Sequence, residues 1–200
     1  MCIRDSCATS VGRRNYALLL FLYNSGARAS EAANLCIADL DLDTGPHPRA
    51  SVRILGKGGK IRRCPLWEKT ALRLTQLVQG RPPTERVFLN RRREPLTRFG
   101  IYAVIRMCVA RASRSMPSLL SKRVSPHTLR HSTATHLLRA GVDINTIRSW
   151  LGHVSQDTTQ VYAEIDLEMK ARALEKCNTP DAKKPTPASD GTLMAFLRAI

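Results

Sequence analysis

One short hairpin, set within an otherwise helical chain, constrains the fold of these 200 residues most strongly. The stretches SVRIL and KIRRCPL favour strands, and GKGG between them favours a tight turn that carries Lys57. Around this hairpin, apolar residues recur at helical spacing. The sequence therefore predicts a mainly α, α+β fold: a helical domain with a small antiparallel β-hairpin sheet.

Helices are predicted on both sides of the hairpin. The first runs from about Arg13 to Ser25 and ends at Gly26. Its inner face is predicted to carry Tyr16, Leu19, Leu20 and Tyr23. Further helices are predicted for RASEAANL, for WEKTALRLTQLVQ and from Thr97 to Arg114, with RVFL as a possible edge strand.

Capping residues mark three later helices. Ser125 and Pro126 begin one, Asp143 begins a second that Gly152 closes, and Ser155 begins a third. On the Ser125 helix, one side is predicted to be buried and comprises Leu129, His136, Leu137 and Ala140. The opposite side is predicted to present His127, Arg130, His131 and Ala134.

Composition narrows the class of protein. No apolar run approaches membrane-spanning length and no cleavable leader opens the chain, so we expect a soluble, cytoplasmic protein that does not contact membranes. The six cysteines occur singly, without metal-ligand spacing, so we expect no metal site and no disulfide framework. Cys36, Cys64 and Cys108 are interpreted as small core residues.

The positive charge is concentrated in one segment. Between Arg49 and Arg123 there are 19 Lys and Arg residues and three acidic ones, so this segment carries the whole net charge of +16. Such a concentration favours a surface that faces a polyanion, although a solvated face is the simpler alternative. The residues expected to contact DNA are Lys60, Arg62, Arg91, Arg92, Arg93, Arg111 and Arg114.

Four short sequence blocks are informative about function because of the order in which they occur, and no single block is informative alone. They are SGARASEAANL, GKGGKIRRCPL, SPHTLRHSTATHLL and LGHVSQDTTQVY. In this order they resemble the signature blocks of the tyrosine recombinases, or phage integrases, and the resemblance extends from about Val11 to Cys177. It implies the DNA breaking-rejoining catalytic fold and site-specific DNA recombination, of the integrase or transposon-associated kind.

The resemblance also implies roles for six catalytic residues. Arg28 and Arg130 would clamp the scissile phosphate, because guanidinium groups stay charged and bind phosphate oxygens in a bidentate manner. Tyr162 would be the nucleophile that forms a 3′-phosphotyrosine, and bond energy conserved in that ester makes a cofactor unnecessary. His127 would assist removal of the tyrosine proton, and His153 would donate a hydrogen bond to the phosphate.

Two lysines on the hairpin are candidates for the proton donor to the leaving oxygen. Lys57 matches the family's general acid, and Lys60 on the same hairpin is its rival. Glu31 is expected to hold Arg28 by charge pairing. His131 is expected to contact the catalytic residues without taking part in the reaction itself.

Two other functions are compatible with parts of the pattern. A type IB topoisomerase shares the chemistry and would relax supercoils, and a non-catalytic DNA-binding module would keep only the basic surface. The expected partners are double-stranded DNA and further copies of the chain, assembled on DNA as a synaptic tetramer.

The predicted organisation has four parts. Residues 1–10 are expected to be a disordered start, 11–177 the catalytic domain and 178–191 a proline-bearing linker. The apolar tail at 192–200 is expected to dock on a neighbouring copy or to fray.

Overall fold

The computed structural model describes residues 9–42 and 50–152. They contain six α-helices and a three-stranded sheet. These residues lie in the first of two compact units, which divide after residue 165. The helices are α1 (Ser10–Ser25), α2 (Ala29–Asn34), α3 (Glu68–Val78), α4 (Arg98–Ala112), α5 (Pro126–Arg139) and α6 (Ile144–Leu151). The strands are β1 (Leu40–Asp41), β2 (Ser51–Leu55) and β3 (Ile61–Pro65).

The hairpin predicted from sequence forms between β2 and β3. These strands pair antiparallel, with Val52 opposite Cys64 and Ile54 opposite Arg62. Lys57 is the first residue of the 3₁₀ turn Lys57–Gly59 that joins them. The predicted mainly α fold with a small antiparallel sheet is confirmed. The sheet also contains β1, which pairs with β2 and was not predicted, since two residues are too few to show alternation.

Capping residues define the helix ends, and the caps predicted at Gly26, Ser125 and Asp143 are confirmed. Thr9 accepts a hydrogen bond from the backbone N–H of Gly12 at 3.0 Å, so α1 begins three residues before the predicted Arg13. Gly26 ends α1 in the left-handed conformation, at φ 60°. Ser125 caps α5, and Asp143 caps α6 through the N–H groups of Asn145 and Thr146.

The buried face of α1 differs from the prediction. Its core residues are Ala17, Leu18, Phe21 and Leu22, whereas Tyr16, Leu19, Leu20 and Tyr23 are only partly buried. Helical periodicity allowed either stripe, because α1 is apolar around most of its surface. The two tyrosines favour the outer stripe because they bind polar groups: Tyr16 lies beneath Lys69 and Arg73, and the Tyr23 hydroxyl is hydrogen-bonded to His136.

The predicted faces of α5 are also wrong in part. Ala134, expected on the presented side, is fully buried beside Thr133 and Leu138, whereas His136 and Ala140 are exposed. Thr133 can enter the interior because its hydroxyl has two acceptors within hydrogen-bond distance, the carbonyl oxygens of Tyr23 and Leu129 at 2.6 and 3.0 Å.

The main core is formed by α1, α2, the sheet, α3, the segment after α3 and α4. Phe21 and Phe88 are fully buried, with ring centroids 5.7 Å apart. RVFL, predicted as an edge strand, forms no strand: Val87 donates to the carbonyl of Leu35, and Arg86 makes an isolated bridge to Cys36. Of the three cysteines predicted to be core, Cys64 is fully buried, while Cys36 and Cys108 are half-buried.

Among the helices in residues 9–42 and 50–152, none combines the length and the apolar character needed to cross a membrane. The start predicted to be disordered was residues 1–10, but Thr9 and Ser10 are ordered as the cap and first residue of α1, and residues 1–8 lie outside the described residues. The linker, the tail, His153 and the helix predicted to carry Tyr162 also lie outside them.

Candidate active site

Arg28 stands at the residue before α2, where Glu31 binds it twice. The Glu31 carboxylate accepts the backbone N–H of Arg28 at 2.8 Å and a guanidinium N–H of the same residue at 2.8 Å. Glu31 has a side chain only 4% exposed, so it is a fixed anchor, while the Arg28 side chain is 31% exposed. The sequence RASE therefore places a partly accessible guanidinium on a buried carboxylate, which is the pairing expected of these residues.

Arg130 approaches the same place from the second turn of α5. Its guanidinium donates to the carbonyl oxygen of Gly26 at 2.7 Å and to that of Leu151 at 2.5 Å. Both Arg130 and Arg28 also reach the carbonyl oxygen of Gly152, at 3.5 and 3.3 Å. Two guanidinium groups that are 102 positions apart in the sequence thus converge on one peptide oxygen.

Gly26 explains why glycine is needed in the SGAR block. A side-chain Cβ at this position would lie 2.3 Å from Cδ2 of Leu151, inside any allowed contact, and the backbone is left-handed. The carbonyl of this same residue receives Arg130. Close approach of α6 and correct placement of Arg130 therefore both depend on Gly26.

We expect Gly26→Ala to lower the free energy of unfolding by about 2–5 kcal/mol, because it adds left-handed strain to an overpacked contact. Gly141→Ala is the matched control: Gly141 is also left-handed, at φ 84°, but a Cβ added there would have no atom of the described residues within 4 Å. The control should lose only about 1–2 kcal/mol. Urea unfolding of both variants measures this difference, and equal losses would contradict the role of the Leu151 contact.

Arg62 occupies a different place from the one expected. It was predicted to contact DNA, but its side chain is only 8% exposed and forms an ion pair with Glu31 at 2.7 Å. In β3, residues alternate between faces, and Arg62 shares the inward face with Cys64. Alternation was thus the signal in the sequence that could have placed Arg62 inside.

The pKa of Glu31 reflects this crowded environment. Burial acts to raise the pKa of this carboxyl, but hydrogen bonds and charge from Arg62 and Arg28 outweigh it and hold the pKa below its usual range. Glu31 is therefore ionised at neutral pH and serves as a permanent negative centre between two arginines.

The hairpin lies directly beside this cluster. A Cβ added at Gly56 would lie 3.5 Å from the Glu31 carboxylate, and the Gly56 N–H donates to the carbonyl of Lys60 at 2.8 Å. The backbone thus carries Lys57 at the tip, next to Arg28 and Glu31, with Lys60 exposed at the start of the return strand. That Lys57, and not Lys60, is the proton donor stays a prediction.

The histidines of the HTLRH string lie on α5. His127 is exposed on the first turn, three residues before Arg130, so the two side chains are neighbours along the helix surface. His131 is exposed as well. His153 and Tyr162 lie outside the described residues. The last described residue, Gly152, precedes His153 and accepts hydrogen bonds from Arg28 and Arg130.

The other arginines expected at DNA flank α4 in the sequence. Arg91, Arg92 and Arg93 are exposed on a turn whose backbone N–H groups, those of Arg92 and Glu94, donate to the Asn90 side chain. Arg111 and Arg114 are exposed at the C-terminal end of α4, a helix roughly 20 Å long. Arg98 and Arg106 are also exposed on α4, and neither was predicted to contact DNA.

Comparison with known proteins shows which family the chain resembles in sequence. The Phage integrase family model matches residues 3–169. The tyrosine recombinase XerD of Corynebacterium glutamicum is 41% identical over 164 residues, which cover 79% of this chain and 50% of XerD. The tyrosine recombinase XerC of Pelobacter propionicus is 35% identical over 179 residues, covering 88% of this chain and 55% of XerC.

Solved structures agree at the level of the backbone. The crystal structure of XerA recombinase matches with a TM-score of 0.66 at 28% identity, over 86% of this chain and 62% of that one. The fold and the arginine cluster define a catalytic domain of the tyrosine recombinase class. The chain belongs to the phage integrase family, and it spans about half the length of the curated relatives it matches.

Proposed function

We propose that this chain performs site-specific DNA recombination by cleaving and rejoining strands through Tyr162. The observation that carries the proposal is the convergence of Arg28 and Arg130 on the carbonyl of Gly152, beside the Lys57 hairpin. Two guanidinium groups so placed can bind both non-bridging oxygens of one phosphodiester and stabilise the charge that develops there.

The reaction follows from these positions. The Tyr162 oxygen attacks the scissile phosphorus and loses its proton with the help of His127, while the bond from phosphorus to the 5′-oxygen breaks. Lys57 gives a proton to that leaving oxygen. The products are a 3′-phosphotyrosine and a free 5′-hydroxyl, and attack by a 5′-hydroxyl of another strand reverses each step.

Relatives support this function for the whole protein. XerH site-specific recombinase, 25% identical with a TM-score of 0.64, has been solved on its difH substrate in a post-cleavage complex. We extend to this chain the binding of double-stranded DNA and self-association on it as a synaptic tetramer, without cofactor or metal. Because the chain spans about half of its curated relatives, these properties are proposed for the protein to which this domain belongs.

The DNA-facing surface is assigned to the basic residues around α4. The turn that carries Arg91, Arg92 and Arg93 is fixed by Asn90, so its three guanidinium groups extend from a defined backbone. The exposed Arg98 and Arg106 continue this positive surface towards Arg111 and Arg114. Lys60, next to the active site, is assigned to the same interface.

We expect reversal of three arginines on the turn, Arg91→Glu, Arg92→Glu and Arg93→Glu together, to weaken binding at least about tenfold on every DNA sequence. The slope of log affinity against log salt should become shallower by about two to three. Fluorescence anisotropy at several salt concentrations measures both. A matched triple reversal of the exposed Arg13, Arg139 and Arg148 should change neither strongly, and equal effects would identify the turn as a merely solvated surface.

The test of the proposed function is covalent capture. The full chain is incubated with a pool of nicked duplexes that have randomised arms, and proteins bound through a detergent-stable bond are isolated and their DNA sequenced. We expect adducts at 3′ ends, enriched for one site and formed equally in excess chelator. Adducts without site preference, together with supercoil relaxation, would indicate a type IB topoisomerase, and binding without adducts would indicate a DNA-binding module.

A further inference from the structure

The Glu31 carboxylate is shared between two arginines. It receives four donors: the backbone N–H and the guanidinium of Arg28, and two N–H groups of Arg62. One carboxylate offers about four lone-pair positions, so this one is saturated. Arg62 is therefore as much a part of the Arg28 site as Glu31 is.

Arg62 changes the electrostatics of that site. Glu31 by itself would neutralise Arg28 and make it a weaker phosphate ligand. Arg62 brings a second positive charge to the same carboxylate, with contacts of 2.7 and 3.2 Å to its two oxygens. The trio thus keeps a net charge of about +1, and Glu31 can orient Arg28 without cancelling its attraction for phosphate.

Arg62 also connects Arg28 to the end of α6. Its Nε donates to the carbonyl of Trp150 at 2.9 Å. Its side chain packs against Gly152 so closely that a Cβ there would lie 3.1 Å from Cδ and Nη1 of Arg62. The carbonyl of Gly152 is the oxygen that both Arg28 and Arg130 reach, and His153 follows it in the sequence.

Arg62 is carried by the strand that returns from the Lys57 turn. One buried guanidinium therefore links the hairpin of the proton donor, the anchor of Arg28 and the backbone before His153. We propose that Arg62 is a positioning residue for strand cleavage: it acts on the scissile phosphate through Arg28 and does not contact DNA. This inference rests on the proposed function.

The experiment compares cleavage by the full chain and by Arg62→Gln. The substrate is the DNA site enriched by covalent capture, prepared in two forms. One has a normal scissile phosphate, and the other has a methylphosphonate there, which lacks the negative charge that Arg28 would stabilise. On the normal substrate we expect cleavage by Arg62→Gln to be about 10–100-fold slower, with DNA affinity within about twofold of the unaltered chain. On the methylphosphonate the difference should shrink to less than about threefold, since the charge is gone.

A double-mutant cycle measures whether the effect passes through Arg28. In an Arg28→Ala background, Arg62→Gln should slow cleavage of the normal substrate by less than about threefold. The same measurement is made on Arg62→Lys, which keeps the positive charge but lacks the paired N–H groups of a guanidinium. This variant is expected to preserve the fold. It should also be slowed on the normal substrate and recover on the methylphosphonate.

Arg81→Gln is the matched control. Arg81 is another largely buried arginine, 13% exposed, which pairs with Glu85 at 2.9 Å and binds carbonyl oxygens of Leu77 and Val87. Its loss should lower thermal stability while leaving the ratio of the two cleavage rates unchanged.

Three results would overturn the proposal for Arg62 while leaving the function intact. They are unchanged cleavage in both Arg62 variants, equal slowing on both substrates with effects additive to Arg28→Ala, and loss of DNA affinity with a shallower salt slope. The last would return Arg62 to the DNA interface. If the unaltered chain itself forms no adduct, the proposed function fails and the role of Arg62 in cleavage fails with it.

Discussion

Tyr162→Phe is expected to abolish the covalent protein–DNA adduct, to below detection, while DNA binding stays within about twofold. Phenylalanine keeps the ring but lacks the oxygen that forms the phosphotyrosine bond, so no other change at this position isolates the chemistry as cleanly. The measurement is denaturing electrophoresis of the captured complex on a nicked substrate that loses its 5′-hydroxyl fragment. Without that fragment, religation cannot hide the cleavage step.

Tyr102→Phe is the control for the nucleophile. Tyr102 lies half-buried on α4, packed against the core, and no LGH block flanks it. Its hydroxyl should be dispensable, with adduct formation unchanged. An adduct that persists in Tyr162→Phe and disappears in Tyr102→Phe would transfer the role of nucleophile to Tyr102.

Lys57→Ala is expected to slow cleavage of ordinary DNA by about 10²–10⁴-fold, the usual contribution of a positioned general acid. The same variant should recover most of its rate when the leaving 5′-oxygen is replaced by sulfur, since a thiolate leaves without a proton. The position of Lys57 at the first residue of the hairpin turn, beside the Arg28–Glu31 pair, is the reason to expect this.

Lys60→Ala separates the two candidate lysines. Lys60 lies just beyond the turn, and its carbonyl closes the hairpin, so its backbone part should survive the substitution. We expect weaker DNA binding in this variant but no preferential recovery with sulfur. Recovery of Lys60→Ala together with none for Lys57→Ala would reverse the assignment.

Helix ends were predictable from single residues because capping is local. Gly26, Ser125 and Asp143 each act within one turn of backbone, so the sequence alone locates them. The inward faces of α1 and α5 were not predictable with the same accuracy. Which of two adjacent apolar stripes is buried depends on what packs against the helix, and that is a property of the tertiary structure.

The site shows the same division between local and long-range information. The order of the four blocks predicted that Arg28 and Arg130 belong together, and both reach Gly152. Arg62 was misplaced because the basic run suggested a surface, whereas the alternation of β3 puts Arg62 on the same face as the buried Cys64. A two-residue strand such as β1 has no pattern of its own and is formed by its partner.

The carbonyl oxygens of Gly26, Leu151 and Gly152 accept hydrogen bonds from Arg130, and that of Gly152 also accepts one from Arg28, which is held by the Glu31 carboxylate as well. Every amino acid supplies such an oxygen, so mutation cannot delete these anchors in the way it deletes a carboxylate. What mutation can alter is the path of the main chain that aims them. A substitution at Gly26 or Gly152 that bends the main chain would therefore displace Arg130 even where every polar side chain around it is unchanged.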